Sequence, residues 1–334
     1  MIDMHAHFLP ALLVEALTLR ASAPNISRGA DGNVSIGIYR TRMPYRSSFD
    51  DVEARIALMD ELGISKQVLS LPGLFGIDSL PASDAVLLTR LFNDGVAELA
   101  TKFPDRFVGI AALPIADPTA AVDEYRRARE ELGLAGMVLP GDGFTSVAQA
   151  RSLRPLFNAA QDLGGLVFVH PGPLPFDTTG EGLDAPAPHS DNIVHRRATV
   201  DIQNRLTEVM ITLAISDFLD EFGDVPVQVA NLGGSLPFVI ERMDHVYGLR
   251  HPELALPSKS LKPIYVDCAS MGRKALAMAI DLYGADRILF GTDNPVFDDR
   301  RAIDAVKDSL IDEADKDKIL KGNATQLLET VTTQ

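Results

Sequence analysis

The segment Ile2-Asp3-Met4-His5-Ala6-His7 carries two imidazoles at alternate positions of an extended stretch, so both point to the same side. One divalent ion can bridge such a pair. A third histidine, His170, closes the apolar run Leu166-Val167-Phe168-Val169, and Asp293 follows Ile288-Leu289-Phe290-Gly291-Thr292. Each has an ordinary explanation alone: a solvated His-x-His, a hydrogen-bonded histidine at a strand end, an aspartate capping the next helix. Together, three neutral imidazoles and one carboxylate suit zinc, manganese or a similar divalent ion, with room for water or a substrate oxygen. Such an ion lowers the pKa of its water to about 7 or polarises a carboxylate or carbonyl directly. Asp293, near both ion and substrate, could then carry a proton.

These residues converge only if the elements between them bring their strand ends together. Short β-branched apolar runs recur along the chain, separated by stretches with helical spacing. The reading gives eight strands, over Met1–His5, Lys66–Leu71, Arg106–Leu113, Ala135–Leu139, Leu166–His170, Val225–Asn231, Pro263–Cys268 and Arg287–Thr292. Helical segments such as Phe49–Leu62 and Ala85–Lys102 lie between them. Strands alternating with helices imply a parallel sheet, and eight such units predict a (β/α)8 TIM barrel forming one domain over residues 1–334. All four candidate ligands then fall at the ends of the first, fifth and eighth strands, around one mouth. Two connections are long, and both follow strands that carry candidate ligands. Phe8 to Ser48 includes a potential hairpin at Asn33–Arg40 and the basic residues Arg40, Arg42 and Arg46; Pro171 to Asp201 includes His189 and His195.

Composition narrows the partners. With 31 Lys+Arg against 46 Asp+Glu, a net charge of −15 argues against nucleic acid or anionic lipid, so an anionic substrate needs particular arginines. A single cysteine, Cys268, rules out an internal disulfide framework and fits a reducing compartment. No apolar run reaches the length of a membrane span, and the expected location is the cytoplasm.

The sequence resembles the amidohydrolase superfamily, in the branch that contains aminocarboxymuconate semialdehyde decarboxylase and γ-resorcylate decarboxylase. The resemblance rests on Asp3-Met4-His5-Ala6-His7, Phe103-Pro104-Asp105-Arg106-Phe107, Val169-His170-Pro171, Leu232-Gly233-Gly234-Ser235-Leu236-Pro237-Phe238 and Gly291-Thr292-Asp293-Asn294-Pro295. It implies His5, His7, His170 and Asp293 as ligands of one divalent metal, zinc first and manganese second. The candidate fourth strand, Ala135 to Pro140, has no lysine to bridge a second ion. The chain departs from the branch after strand six, where a histidine usually precedes the glycine pair and Asn231 stands here. An amide can orient water or substrate but cannot act as a base. His189 or His195 could replace it, or Asp293 and the metal could suffice. Counting eleven residues from Asn231 reaches Arg242, which the resemblance places at a substrate carboxylate in a neighbouring subunit, implying at least a homodimer. Arg46, with Arg42 as competitor, matches the arginine that holds a second carboxylate.

Three functions compete at this stage. The first is non-oxidative decarboxylation of an aromatic or muconate-type acid, and the second is metal-dependent hydrolysis or hydration of a ring-cleavage product, lactone or amide. The third is a binding or regulatory protein without turnover, against which the intact ligand set argues.

Overall fold

The computed structural model describes residues 1–38, 41–175 and 196–332. Its strands are β1 (Ile2–His7), β2 (Asn25–Arg28), β3 (Val34–Ile38), β4 (Thr41–Pro44), β5 (Lys66–Ser70), β6 (Phe107–Gly109), β7 (Gly136–Pro140), β8 (Leu166–His170), β9 (Val227–Val229), β10 (Tyr265–Asp267) and β11 (Ile288–Leu289). Two parallel sheets form the centre, in the orders β1-β5-β6 and β11-β10-β9-β8-β7. Parallel bridges Ala111↔Met137 and Ala6↔Asn294 run between residues of the two sheets' outer strands or the segments that follow them. β7 and β8 are buried at every position, which is why they read as nearly continuous apolar runs, whereas β1, equally buried, alternates because its polar face carries Asp3, His5 and His7.

Helices lie between successive parallel strands, and their ends are locally encoded. Asp51 accepts from the backbone of Ala54 to start Val52–Leu62, which stops at Gly63 in the left-handed conformation (φ 74°). Asp117 caps Pro118–Glu130 in the same way, with proline in the first turn. The helix Ala82–Lys102 buries Ala85, Leu88, Phe92 and Val96 on one stripe. Among the described residues no helix is long and apolar enough to cross a membrane.

Differences from the sequence reading have identifiable causes. β1 runs on to His7, so both histidines lie inside the strand rather than at and beyond its end. β6 is shorter than Arg106–Leu113 because the Asn93 side chain takes over the backbone of Ala112, donating to its carbonyl (2.9 Å) and accepting from its N–H (2.8 Å). β11 is shorter than Arg287–Thr292 because the Phe290 N–H turns to the carbonyl of Ile319 (3.0 Å). The segment after β11 still bonds to β1, through Met4 N to Phe290 O (2.8 Å) and Asp293 N to His5 O (2.7 Å). In the first long connection the expected hairpin is a three-stranded antiparallel sheet, β2-β3-β4, whose first turn is set by Gly32 (φ 82°) and by Asp31 accepting from Asn33 N.

β7 and β8 pair closely along Gly136↔Leu166 to Pro140↔His170. A Cβ at Gly136 would strike the Leu166 backbone, which is held in the sheet and cannot give way. Gly136→Ala is therefore expected to destabilise the protein by about 2–3 kcal/mol or more, read as a lowered denaturation midpoint. An unchanged midpoint would mean that β7 and β8 do not approach this closely.

Candidate metal centre

β1 presents His5 and His7 on one side, as strand alternation requires, and β8 ends on His170. Their rings meet edge to face with centroids 5.1 Å (His5–His7), 4.9 Å (His5–His170) and 4.8 Å (His7–His170) apart. Asp293 reaches the same point from beyond β11 through a left-handed backbone (φ 59°), a conformation that aspartate tolerates better than most residues. All four residues are buried, and one ligand atom from each lies within 4.8 Å of the others.

The outer ring nitrogens are all occupied. His5 Nδ1 lies 3.0 Å from Asp267 Oδ1, and His170 Nδ1 lies 2.9 Å from the carbonyl of Pro171. His7 Nδ1 faces Ser70 twice, its carbonyl at 3.3 Å and its hydroxyl at 3.0 Å. Carboxylates and carbonyls only accept, so these contacts assign the proton to Nδ1 and leave Nε2 with a free lone pair. His5 Nε2 and His7 Nε2 are buried without a hydrogen-bond partner, as is Asp293 Oδ1. His7 Nε2 lies 3.0 Å from that oxygen, close but misaligned for a hydrogen bond. Buried lone pairs facing one point without donors fit a cation, and this group is able to hold a divalent ion.

The electrostatics agree. Burial disfavours charge on His5, but Asp267 and then Asp293 outweigh it and lift the imidazole to about 9. Burial lowers His7, and burial with His7 and His5 as neighbours takes His170 well below its ordinary value. Burial alone would raise Asp293, yet His5 and His7 hold it below the usual carboxylate range. Without an ion, a proton on His5 is the positive charge between two carboxylates.

The surroundings fix these positions. Arg55, buried, donates to the carbonyls of His7 (2.6 Å) and Ser48 (3.0 Å), anchoring the end of β1. Gly73 passes so close to His170 that a Cβ there would lie 2.8 Å from its Nδ1. Asn231 sits after β9 with φ 53°; its N–H donates to Asp267 Oδ1 (3.2 Å), and its side-chain oxygen is buried without a partner. Asp267 has no counterpart in the sequence reading. The one available signal was an acid inside the apolar run Pro263–Cys268.

The structure brings His5, His7, His170 and Asp293 together, with Asn231 tied to His5 through Asp267. It does not bring the arginines into this cluster. Arg46 is exposed before the turn at Ser47–Phe49. Arg42 is engaged with the small antiparallel sheet, donating to Ser27, Ser35 and Asn25. Arg242 is exposed on the helix Leu236–Arg250, lining a groove of about 360 Å³ with Val239, Met243, Val246 and Tyr247. His189 and His195 lie outside the described residues.

The amidohydrolase family matches residues 2–330. The chain belongs to that family. Within it, this member is 31% identical to the γ-resorcylate decarboxylase of a Polaromonas species, over 85% of this chain and 89% of the relative. It is 26% identical to the 2-amino-3-carboxymuconate-6-semialdehyde decarboxylase of Dictyostelium discoideum, over 98% and 91%. Its fold matches a crystal structure of a Polaromonas dihydroxybenzoic acid decarboxylase, solved with bound manganese and the inhibitor 2-nitroresorcinol, at a TM-score of 0.69 and 24% identity over 98% and 96%.

An ion that binds here must displace the His5 proton. Below pH 9, uptake of zinc by the metal-free protein is expected to release about one proton, and affinity is expected to fall about tenfold per pH unit as the pH drops further. Calorimetry in buffers of different ionisation enthalpy reads this directly. Uptake without proton release at pH 7.5 would contradict the protonated His5.

Proposed function

We propose that this protein is a metal-dependent, non-oxidative decarboxylase of an aromatic or muconate-type carboxylic acid. In this reading one divalent ion, zinc or manganese, is held by His5, His7, His170 and Asp293 in a single (β/α)8 barrel over residues 1–334. The observation that carries it is the set of buried, unpartnered lone pairs on His5, His7 and Asp293, in a chain whose relatives are named as decarboxylases. The barrel is supported by eight parallel strands in sequential order and by the bridges at Ala111↔Met137 and Ala6↔Asn294. The manganese in the related dihydroxybenzoic acid decarboxylase supports the metal class.

When bound, the ion supplies positive charge beside the substrate's oxygens. The residues' tasks follow from the reaction's balance. The ring carbon bearing the carboxylate gains a proton, the carbon–carbon bond breaks, its electron pair returns to the ring, and CO2 leaves. Asp293 is the proton carrier in this scheme; ionised at rest, it must first receive the proton from substrate or solvent. Asn231 holds a substrate oxygen or nitrogen through its amide and moves no proton. His195, which follows β8 in the sequence, is the candidate second proton carrier.

Two arginines supply the charge that an acidic chain otherwise lacks. Arg46 binds a substrate carboxylate from the loop after β1. Arg242 does so across a homodimer interface, with the exposed Phe238 (77%) and Leu249 (72%) on its helix supporting a covered face. The guanidinium fork suits both tasks.

Metal analysis combined with a screen of hydroxybenzoates tests the reading. Stoichiometric CO2 and about one ion per chain are expected, and His170→Ala should lose the ion while keeping its fold. Turnover of lactones or amides without CO2 would instead establish the hydrolase reading, which Asn231 in place of a histidine leaves open. Asp293→Asn should reduce kcat by at least about 10²-fold even in metal-loaded protein. Arg242→Ala should raise KM more than Arg242→Lys; equal, negligible effects would make it a surface residue.

A further inference from the structure

Asp267, at the end of β10, is fully buried, and among the described residues its one ion-pair partner is His5. A buried carboxylate without lysine or arginine is costly unless several donors replace its water. Here Oδ1 accepts from His5 Nδ1 (3.0 Å), Asn231 N (3.2 Å) and Ala269 N (3.2 Å), and Oδ2 accepts from Gln228 Nε2 (2.8 Å). Gln228 also donates to the carbonyl of Met4 (3.3 Å), one residue before His5. The carboxylate thus joins β1, β9 and β10 at the level of the cluster.

We infer that Asp267 is a positioning residue that aims His5 Nε2 at the metal and, through the same oxygen, fixes the left-handed turn that presents Asn231. The inference rests on the one-metal reading above. Its ground is an asymmetry among the histidines: His7 and His170 lean on the neutral groups of Ser70 and Pro171, while His5 alone leans on a carboxylate. An acceptor with full negative charge excludes the tautomer that would turn a proton toward the ion, and it strengthens the opposite nitrogen as a ligand. Asn231 needs the same anchor. Its backbone and that of Leu232 both lie in the left-handed region (φ 53° and 55°), and the Asn231 N–H bond to Asp267 holds the first of them. Metal affinity and the placement of the Asn231 amide are coupled through one atom.

The test compares metal-stripped wild type with Asp267→Ala, the near-isosteric Asp267→Asn, and Asn323→Ala. Asn323 is buried away from the cluster and donates to the carbonyls of Ala285 (2.7 Å) and Ile288 (2.8 Å), so its loss reports destabilisation alone. Zinc dissociation constants from chelator competition, visible spectra of the cobalt-substituted forms and melting of the metal-free forms are the readouts. Asp267→Ala should weaken zinc about 100-fold and Asp267→Asn about tenfold, each with a shifted cobalt spectrum. Asn323→Ala should melt lower yet bind zinc like wild type. If Asp267→Ala does not fold, Asp267→Asn decides. Wild-type zinc affinity and spectrum in the Asp267 variants would overturn the inference while leaving the metal reading intact, as would an equal weakening in Asn323→Ala. A wild type that takes up no divalent ion would overturn the metal reading and this inference with it.

Discussion

Three imidazoles and a carboxylate within 4.8 Å of one another, all buried, form an arrangement that cannot satisfy itself. Lone pairs repel at such range, and no solvent screens them. The cluster exists because its members sit on strand ends whose positions are settled elsewhere. β1 is held by β5 on one flank and by the segment after β11 on the other, and the Asp293 N–H is bound to the His5 carbonyl at 2.7 Å. Sheet hydrogen bonds thereby hold groups that would otherwise relax apart. A cation, or a proton on His5 in its place, is the missing charge.

A second layer beneath the cluster keeps β1 in register. Asp3 lies on the same face as His5 and His7, one step deeper, and accepts from Thr292 Oγ1 (2.7 Å), Thr292 N (3.1 Å) and Gln67 Nε2 (2.9 Å). Gln67 in turn accepts from Arg55, whose other nitrogen holds the carbonyl of His7. One connected set of buried polar groups therefore joins β1, β5 and the turn that carries Asp293. Apart from Arg55 Nε, these groups find partners within the set, which makes a polar interior tolerable and gives it a single geometry.

The residues of the cluster were legible in the sequence because their signal is local. Alternation put His5 and His7 on one side, and apolar runs put His170 and Asp293 at strand ends. Asp267 was not legible, since Tyr265-Val266-Asp267-Cys268 carries no spacing that separates an acid facing a metal ligand from one at a solvent-exposed strand end. Strand lengths failed for a related reason. Periodicity records which side chains are buried, but β6 and β11 end where Asn93 and Ile319, distant in sequence, take over backbone groups. The arginines sit between these cases. Arg42 is engaged by its own small sheet through Ser27 and Asn25 on β2, a strand that the expected hairpin at Asn33–Arg40 did not include.

Asn231 shows how such a site can change without losing its metal-binding geometry. Its left-handed backbone suits asparagine, and its N–H bond to Asp267 is made by the main chain, so it survives whatever side chain stands there. What the amide changes is the proton inventory around the cluster. A histidine at 231 would add another titrating group near a carboxylate already committed to His5, whereas the amide leaves His5, among the described residues, as the ion-pair partner of Asp267, beside the neutral amide of Gln228. The buried, unpartnered oxygen of Asn231 still needs a donor, and a substrate hydroxyl or amino group can supply one. In the proposed reading the position serves recognition rather than proton transfer. Under the decarboxylase reading proposed above, proton transfer then falls to Asp293, whose Oδ1 lies among the imidazoles and is buried without a hydrogen-bond partner.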